Sequence, residues 1–431
     1  MSDATTRSAP PPSARYRVDA ATHALAEVMR FTAPADGVLH AFFREHPKLG
    51  AADRAFVAET VYGALRHART LEALLGRATP RLLALAALVR VQGMSLRQLE
   101  PACSPKELAT IQALREAATL PLPPAVAAEL PDWLFNRLVG ERPAEEVMAL
   151  GRALQQPAPF DLRVNTLKAA REEVLAALAR EGIAASPTPY APHGVRIPAR
   201  TALQKHPLYL EGRVEVQDEG SQLVSYLVAP RRRELVVDFC AGAGGKTLAL
   251  GALMNSQGRV YAWDTSARRL ARLEARLKRS GLSNVHPQVI AGPNDTRVKR
   301  LAGKADRVLV DAPCTGTGTL RRNPDLRWRQ DERALAELTQ KQGEILAAAA
   351  RLVKPGGRLV YATCSLLAAE NQDIVEAFVA AHPQFVVREA AAILAEAGIA
   401  LDTSRYLELT PHRHGTDGFF AAVLERAPAP A

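Results

Sequence analysis

The sequence predicts an α/β protein: a mostly parallel sheet with helices on both faces in the C-terminal half, preceded by a small α+β module and an all-helical segment. Three observations predict it. Short β-rich runs alternate with helical stretches from about residue 231 onward. One of those runs passes directly into a glycine turn and then a helix. The first 150 residues carry apolar positions at helical spacing and show no strand-like alternation.

Taken in order, residues 1–16 (MSDATTRSAPPPSARY) are rich in Pro, Ser and Ala and are expected to form a disordered tail. Residues 17–150 are expected to be helical. Val57, Val61 and Leu65 recur every fourth position and form one apolar stripe, and the Pro cluster from Leu120 to Pro124 breaks the helices. The α+β module spans 156–225: FDLRVNTL reads as a strand, KAAREEVLAALAREG as a helix ended by Gly182, and VRI as a strand. Over 226–430 the strands are LVVDFC, RVYAW, RVLVDA and RLVYATC, with FFAAVLE closing the chain. There is no internal repeat.

A chain of 431 residues, 48% hydrophobic, suits two or three domains with sizeable cores. Lys plus Arg outnumber Asp plus Glu by 55 to 45, and the net charge of +10 favours a polyanionic partner. Only 5% of residues are aromatic, which argues against a large stacking platform. Cys103, Cys240, Cys314 and Cys364 lack paired metal spacing and read as free thiols of a reducing cytosol. His412 and His414 stand two apart with no further ligands nearby, so no metal is implied. The first residues contain no apolar signal segment, and the longest apolar stretch, Leu82 to Val89, is too short to span a bilayer. The expectation is a soluble, cytoplasmic protein without a membrane partner, with a monomer as the default state.

The strand Leu235–Cys240 leads into AGAGGKT and a helix, so backbone can approach a ligand closely there. A nucleoside triphosphate loop would need glycine where Cys240 stands. A dinucleotide fingerprint beginning at Gly242 would need glycine in place of Thr247. The second strand, RVYAWD, ends in Asp264, whose carboxylate can accept hydrogen bonds from both hydroxyls of a ribose. A glycine turn plus this acid fits a nucleoside cofactor, with S-adenosyl-L-methionine the natural candidate and another nucleotide the plainer alternative.

Two further strand ends carry thiols. Val308–Val310 leads into Asp311-Ala312-Pro313-Cys314, and Leu359–Thr363 into Cys364 and Ser365. Ligands of parallel sheets bind beyond the carboxyl ends of the strands, so both cysteines are expected beside the cofactor. A free cysteine is more often a small buried hydrophobe, the reading kept for Cys103 and Cys240. The chemistry that wants a thiol here is methylation of cytosine. Carbon 5 is a poor nucleophile until a thiolate adds to carbon 6 and makes the ring enamine-like. The thiol must ionise, which calls for positive potential nearby. Asp311 can hydrogen-bond the amino and ring-nitrogen edge of the base.

At these residues the chain resembles the RNA cytosine-5 methyltransferases of the Nop/Sun group. DFCAGAGGKT is similar to their cofactor loop, DAPCTGTGTLRRNPDLRW to the motif with an assisting cysteine, and YATCSLLAAEN to the motif with the nucleophile. RVNTLK, VQDEGSQLV and PHRHGTDGFFAAVLER match further family segments, so that the resemblance covers about 156–426. It implies a class I methyltransferase, Rossmann-like sheet preceded by an RRM-like module, with Cys364 as nucleophile and Cys314 assisting product release. It also implies that Cys240, Ala241, Gly242, Ala243, Gly244, Gly245 and Lys246 surround the methionine part of the cofactor, and that Asp264 holds the ribose. Ala243 departs from the family's usual proline. The acid expected near the adenine falls in VIAGPNDTR, where Asp295 is assigned and Asn294 is the alternative. LGAADRAFVAETVYGALRH and LPDWLFNRLVGE resemble the helical NusB-like domain and connector that precede the catalytic unit in bacterial small-subunit methyltransferases, which points to 16S ribosomal RNA.

Basic residues cluster at Arg231–Arg233, at Arg268, Arg269, Arg272, Arg276, Lys278 and Arg279, at Arg297, Lys299 and Arg300, and at Arg321, Arg322 and Arg327. Contacts to phosphate would give salt-dependent affinity without sequence choice, and a paired target base would have to leave its stack. For the helix from Ala267 to Ser280 the plainer alternative is a solvated charged face. Arg321 and Arg322 are the better candidates for substrate contact because they follow the Pro-Cys loop. Two other functions stay open at this point: a transfer RNA methyltransferase, and a non-catalytic RNA-binding assembly factor.

Overall fold

The structure, a computed structural model, describes residues 14–116, 121–198 and 203–429. The chain forms two units. One runs to Gln156 and takes in Leu320–Asp331; the other comprises Pro157–Thr319 and the chain from Glu332 onward.

The first unit is helical throughout, and its helices continue past the expected limit to Gln155. Helix Pro80–Arg90 contains the long apolar run, and Leu83 through Val89 are all buried. A helix apolar on every side belongs inside a helical core. It starts where Pro80 follows Thr79, whose side chain accepts a hydrogen bond from Leu82 N. Val57, Val61 and Leu65, on helix Ala51–Arg66, pack into the same core. Most of the expected tail lies outside the described residues, and helix Ala14–Val28 already includes residues 14 to 16.

Segment Leu320–Asp331 corrects one expectation. Trp328 stacks on Phe31 with ring centroids 5.1 Å apart, Asp325 accepts from Ala35 N, and Arg66 Nε donates to the Arg321 carbonyl at 3.1 Å. Arg321 and Arg327 are only 4% and 3% exposed, and burial lowers Arg327 to about 10. Both are buried and do not form an exposed surface for phosphate.

The second unit opens with four short antiparallel strands, β1 (Phe160–Val164), β2 (Ser186–Pro187), β3 (Gly194–Ile197) and β4 (Val214–Val216), in the order β2-β3-β1-β4. Leu162 and Val164 of β1 pack with Val174 and Leu178 of helix Arg171–Arg180. Asp161 and Arg163 alternate to the opposite side of the strand. There Asp161 accepts both forks of Arg196 at 2.8 Å.

The larger sheet has eight strands: β5 (Leu235–Asp238), β6 (Arg259–Asp264), β7 (Val285–Val289), β8 (Ala305–Asp311), β9 (Val353–Thr363), β10 (Phe385–Arg388), β11 (Leu407–Leu409) and β12 (Phe419–Arg426). The order is β10-β12-β9-β8-β5-β6-β7, with β11 also on β12. Strands β7, β6, β5, β8 and β9 are parallel, whereas β12 runs antiparallel to β9, β10 and β11. Both faces are covered, so its central strands are apolar on both sides. Val236, Val260, Leu309 and Val360 meet helices Glu219–Val228, Gly245–Leu253 and Ala267–Ser280. Val237, Val308, Val310, Leu359 and Tyr361 meet helices Glu332–Ala350 and Gln372–Ala381. The expected boundary at 225/226 cuts helix Glu219–Val228, which packs on this sheet. The chain leaves β5 toward β6 on one side and returns to β8 on the other, a switch point that opens a crevice at the strand ends.

Candidate active site

At that crevice lies a cleft of about 480 Å³. Its lining includes Cys240–Ala243, Gly245, Lys246, Asp264, Asp311, Cys314 and Cys364, together with Ile290 and Pro293. The sequence therefore predicted residues from four separate strand ends, β5, β6, β8 and β9, that the fold brings to one place.

The glycine turn follows β5. Gly242 and Gly244 adopt φ of +57° and +81°. At Gly244 any Cβ would overlap the Leu273 side chain, so this position requires glycine for both conformation and packing; it lies behind the cleft wall and is not part of the lining. Asp264 Oδ2 accepts from Gly242 N at 2.9 Å and its Oδ1 from Ser266 N at 2.7 Å. The carboxylate at the end of β6 is thus fixed against the turn.

Lys246 stands on the first turn of helix Gly245–Leu253 and donates to Asp311 Oδ2 at 2.7 Å. Its ammonium lies 5.1 Å from the Phe419 ring centroid. Burial alone would lower the lysine, but the charge and hydrogen bond of Asp311 outweigh it and the net shift is upward. Asp238, at the end of β5, is 1% exposed and accepts from Thr247 Oγ1 at 2.6 Å. Burial raises it to about 7.

The two sulfurs of Cys314 and Cys364 are 3.4 Å apart. The hydrogen bond to Cys364 is the largest reason that the Cys314 thiol is pushed well above the ordinary range; burial and the charge of Glu370 add to it. Cys314 therefore holds its proton. Cys240 is also pushed upward, by burial and then by the charges of Asp238, Asp311 and Asp264, so it too stays a thiol.

Asp295 does not join this group. Its carboxylate caps helix Thr296–Arg300, accepting from Arg297 N and from Ala291 N at 2.8 Å each, and it is absent from the cleft lining. The assignment of Asp295 to the cofactor loses its geometric basis because the carboxylate caps a helix outside the cleft lining. Asn294 is exposed and likewise absent from the lining.

Several residues that hold the site carried no expectation of that role. Arg276 Nη1 donates to Ala243 O at 2.7 Å and its Nε to Glu215 Oε2 at 3.0 Å. Arg163, fully buried, donates to Gln217 Oε1 at 2.6 Å and to Gly245 O at 3.5 Å. Near the cysteines, Gln342 and Glu370 are both 0% exposed. Arg276 sat within a basic run and Glu370 within the segment AAEN, so neither had a signal that separated it from surface charge.

Residues 225–425 match the family 16S rRNA methyltransferase RsmB/F, and residues 130–204 match the ferredoxin-like domain of RsmF/B-like methyltransferases. A probable ribosomal RNA small subunit methyltransferase B from Synechocystis is 33% identical, over 94% of this chain and 98% of its own length. The ribosomal RNA small subunit methyltransferase B of Sodalis glossinidius is 37% identical, over 68% of this chain and 65% of its own. The crystal structure of PH0851 superposes with a TM-score of 0.76 at 28% identity, covering 97% of this chain and all of that one (100%). The expected Rossmann-like methyltransferase sheet corresponds to the first of these family matches, and the module expected as RRM-like lies largely within the second, a ferredoxin-like domain. This chain belongs to the 16S rRNA methyltransferase RsmB/F family.

Proposed function

We propose that the protein methylates carbon 5 of a cytosine in 16S ribosomal RNA, with S-adenosyl-L-methionine as donor and a transient bond from the Cys364 sulfur to carbon 6 of the base. The observation that carries this reading is the pair of sulfurs 3.4 Å apart in the cleft that also contains the glycine turn. The names of the relatives support small-subunit ribosomal RNA over transfer RNA.

The residues present fit the donor. A cleft of about 480 Å³ is of the size that takes a nucleoside ligand. Asp264 is assigned to the ribose hydroxyls, Cys240–Ala243, Gly245 and Lys246 to the methionine part, and Ile290 and Pro293 to the adenine in place of Asp295. When bound, the donor supplies an electrophilic methyl group on a sulfonium.

The chain's own residues carry the remaining chemistry. The Cys364 thiolate adds to carbon 6, and the electron pair displaced from the ring double bond gives carbon 5 the nucleophilicity that methyl transfer requires. Asp311, held by Lys246, faces the amino and ring-nitrogen edge of the base. Once carbon 5 is methylated, its proton leaves to a base. The electron pair released reforms the ring double bond as the bond between carbon 6 and sulfur breaks. Cys314 is assigned to this release step, where its thiol can give its proton to the departing Cys364 sulfur.

The test is transfer of labelled methyl from S-adenosyl-L-methionine to small-subunit ribosomal RNA. Cys364→Ser is expected to lower the rate by about 10³-fold or more. Cys314→Ser is expected to accumulate protein covalently attached to RNA. An active Cys364→Ser variant rejects the nucleophile, and a Cys314→Ser variant without adduct rejects the release role.

A further inference from the structure

We propose that Glu370 is a positioning residue that holds the two sulfurs in register, a role that rests on the two-cysteine reading above. It follows β9 by a short turn and is 0% exposed. Its Oε1 accepts from Thr315 N at 2.8 Å and from Gln342 Nε2 at 2.9 Å. Its Oε2 accepts from Thr315 Oγ1 and from Ser365 Oγ, each at 2.5 Å. Thr315 is the neighbour of Cys314 and Ser365 the neighbour of Cys364. Gln342 Nε2 also donates to Pro313 O at 2.9 Å, so the residues on both sides of Cys314 are tied to the same carboxylate.

The cost of this arrangement argues for its purpose. A buried carboxylate must be compensated, and none of these four donors comes from a cation. The compensation is the full set of donors from both cysteine loops, which an apolar side chain of similar size could not gather. Glu370 is itself held, because Tyr361 donates its hydroxyl to the Glu370 carbonyl at 2.7 Å. Asn371 closes the turn from the other side, accepting from Thr363 Oγ1 at 2.5 Å and donating to Ser365 O at 3.0 Å. The two loops are also joined by Leu366 N to Thr317 Oγ1 and Gly318 N to Cys364 O, both at 2.9 Å, and by Thr317 Oγ1 with Ser365 Oγ at 3.2 Å; the carboxylate adds its four donors to these.

Two readouts on the full chain test the role. The first is independent of methyl transfer: the rate at which diamide joins Cys314 to Cys364, followed by peptide mass spectrometry. In that step the two thiols lose two electrons and two protons, a sulfur–sulfur bond forms, and the diazene is reduced to the hydrazide. The second is the split between kcat and the KM for S-adenosyl-L-methionine. Glu370→Gln fills the same space but faces two hydroxyl donors with an amide. It should slow the cross-link and lower kcat, by up to about 100-fold for a sulfur displaced by an ångström. KM for the donor should stay within about twofold. Glu370→Ala should be worse in both, and if it does not fold, the double variant Thr315→Val with Ser365→Ala removes two of the donors and carries the test. Cross-linking at the wild-type rate in folded variants overturns the positioning role. Slow cross-linking in the variants of a protein whose wild type transfers no methyl group would retain the positioning role and reject the function it rests on.

Discussion

On the glycine-loop side of the cleft, cations hold backbone carbonyls: Arg276 reaches Ala243 O and Arg163 reaches Gly245 O. On the cysteine side the polarity is reversed, and one anion, Glu370, gathers a backbone N–H, two hydroxyls and an amide. A glycine turn offers no side chains to grip, so its shape is fixed through its carbonyls. The arginines that do this are anchored by Glu215 of β4 and by Gln217 just beyond it, which makes the small module a buttress for the donor side. The cysteine loops offer donors on Thr315 and Ser365, so an acceptor between them is enough. Among the described residues, Lys246 and Asp311 form the ion pair that joins the two sides, because Lys246 belongs to the glycine-loop helix and Asp311 to the strand that leads to Cys314.

This comparison predicts that variants fall into separate kinetic classes. The largest effect belongs to the shared pair. Lys246→Met takes this partner from Asp311 and removes one cation from the cleft, and is expected to lower the single-turnover rate by about 100-fold. Retention of the rate within about threefold would separate the pair from the chemistry. A smaller effect belongs to the donor side alone. Arg276→Met leaves the Ala243 carbonyl without its guanidinium and Glu215 with Arg279 alone, and should weaken binding of S-adenosyl-L-methionine about tenfold by calorimetry. The rate at which Cys314 and Cys364 cross-link should not change. A slowed cross-link in that variant would show that the two sides are not held independently.

The smallest effect is on stability. Asp238 binds a proton in the folded protein that the unfolded chain has released, since burial raises it from 3.8 to about 7. The stability it contributes is complete below about pH 3.8 and is lost as pH rises through about 7. Asp238→Asn mimics the neutral acid and should remove this part of the slope. Urea midpoints at about pH 5 and pH 8 should therefore fall more in the wild type than in the variant. Equal changes would mean that Asp238 is not protonated in the fold.

The parts of the site that were legible in the sequence are those set by neighbours along the chain. A strand, a glycine turn and a helix are contiguous, and so are a strand and the cysteine that follows it. The strands β5, β6, β8, β9 and β12 have apolar runs long enough to see. The strands β2, β4, β10 and β11 are two to four residues long, too short for a pattern to stand out from their surroundings. Side-chain pairings across the fold left no trace. Arg276 and Arg279 read as part of a charged helix face, yet both are bound to Glu215, 61 and 64 residues away. Arg321 and Arg327 read as phosphate contacts and are buried among the helices. Asp295 had the right chemistry, but the loop folds so that its carboxylate caps a helix.

The attachment point of the RNA decides the account most directly. Cys314→Ser protein incubated with small-subunit ribosomal RNA and S-adenosyl-L-methionine, digested and mapped by mass spectrometry, should carry its methylated cytosine on the peptide that contains Cys364. A nucleotide found on any other residue, or a stable adduct that persists in the double variant with Cys364→Ala, would contradict it.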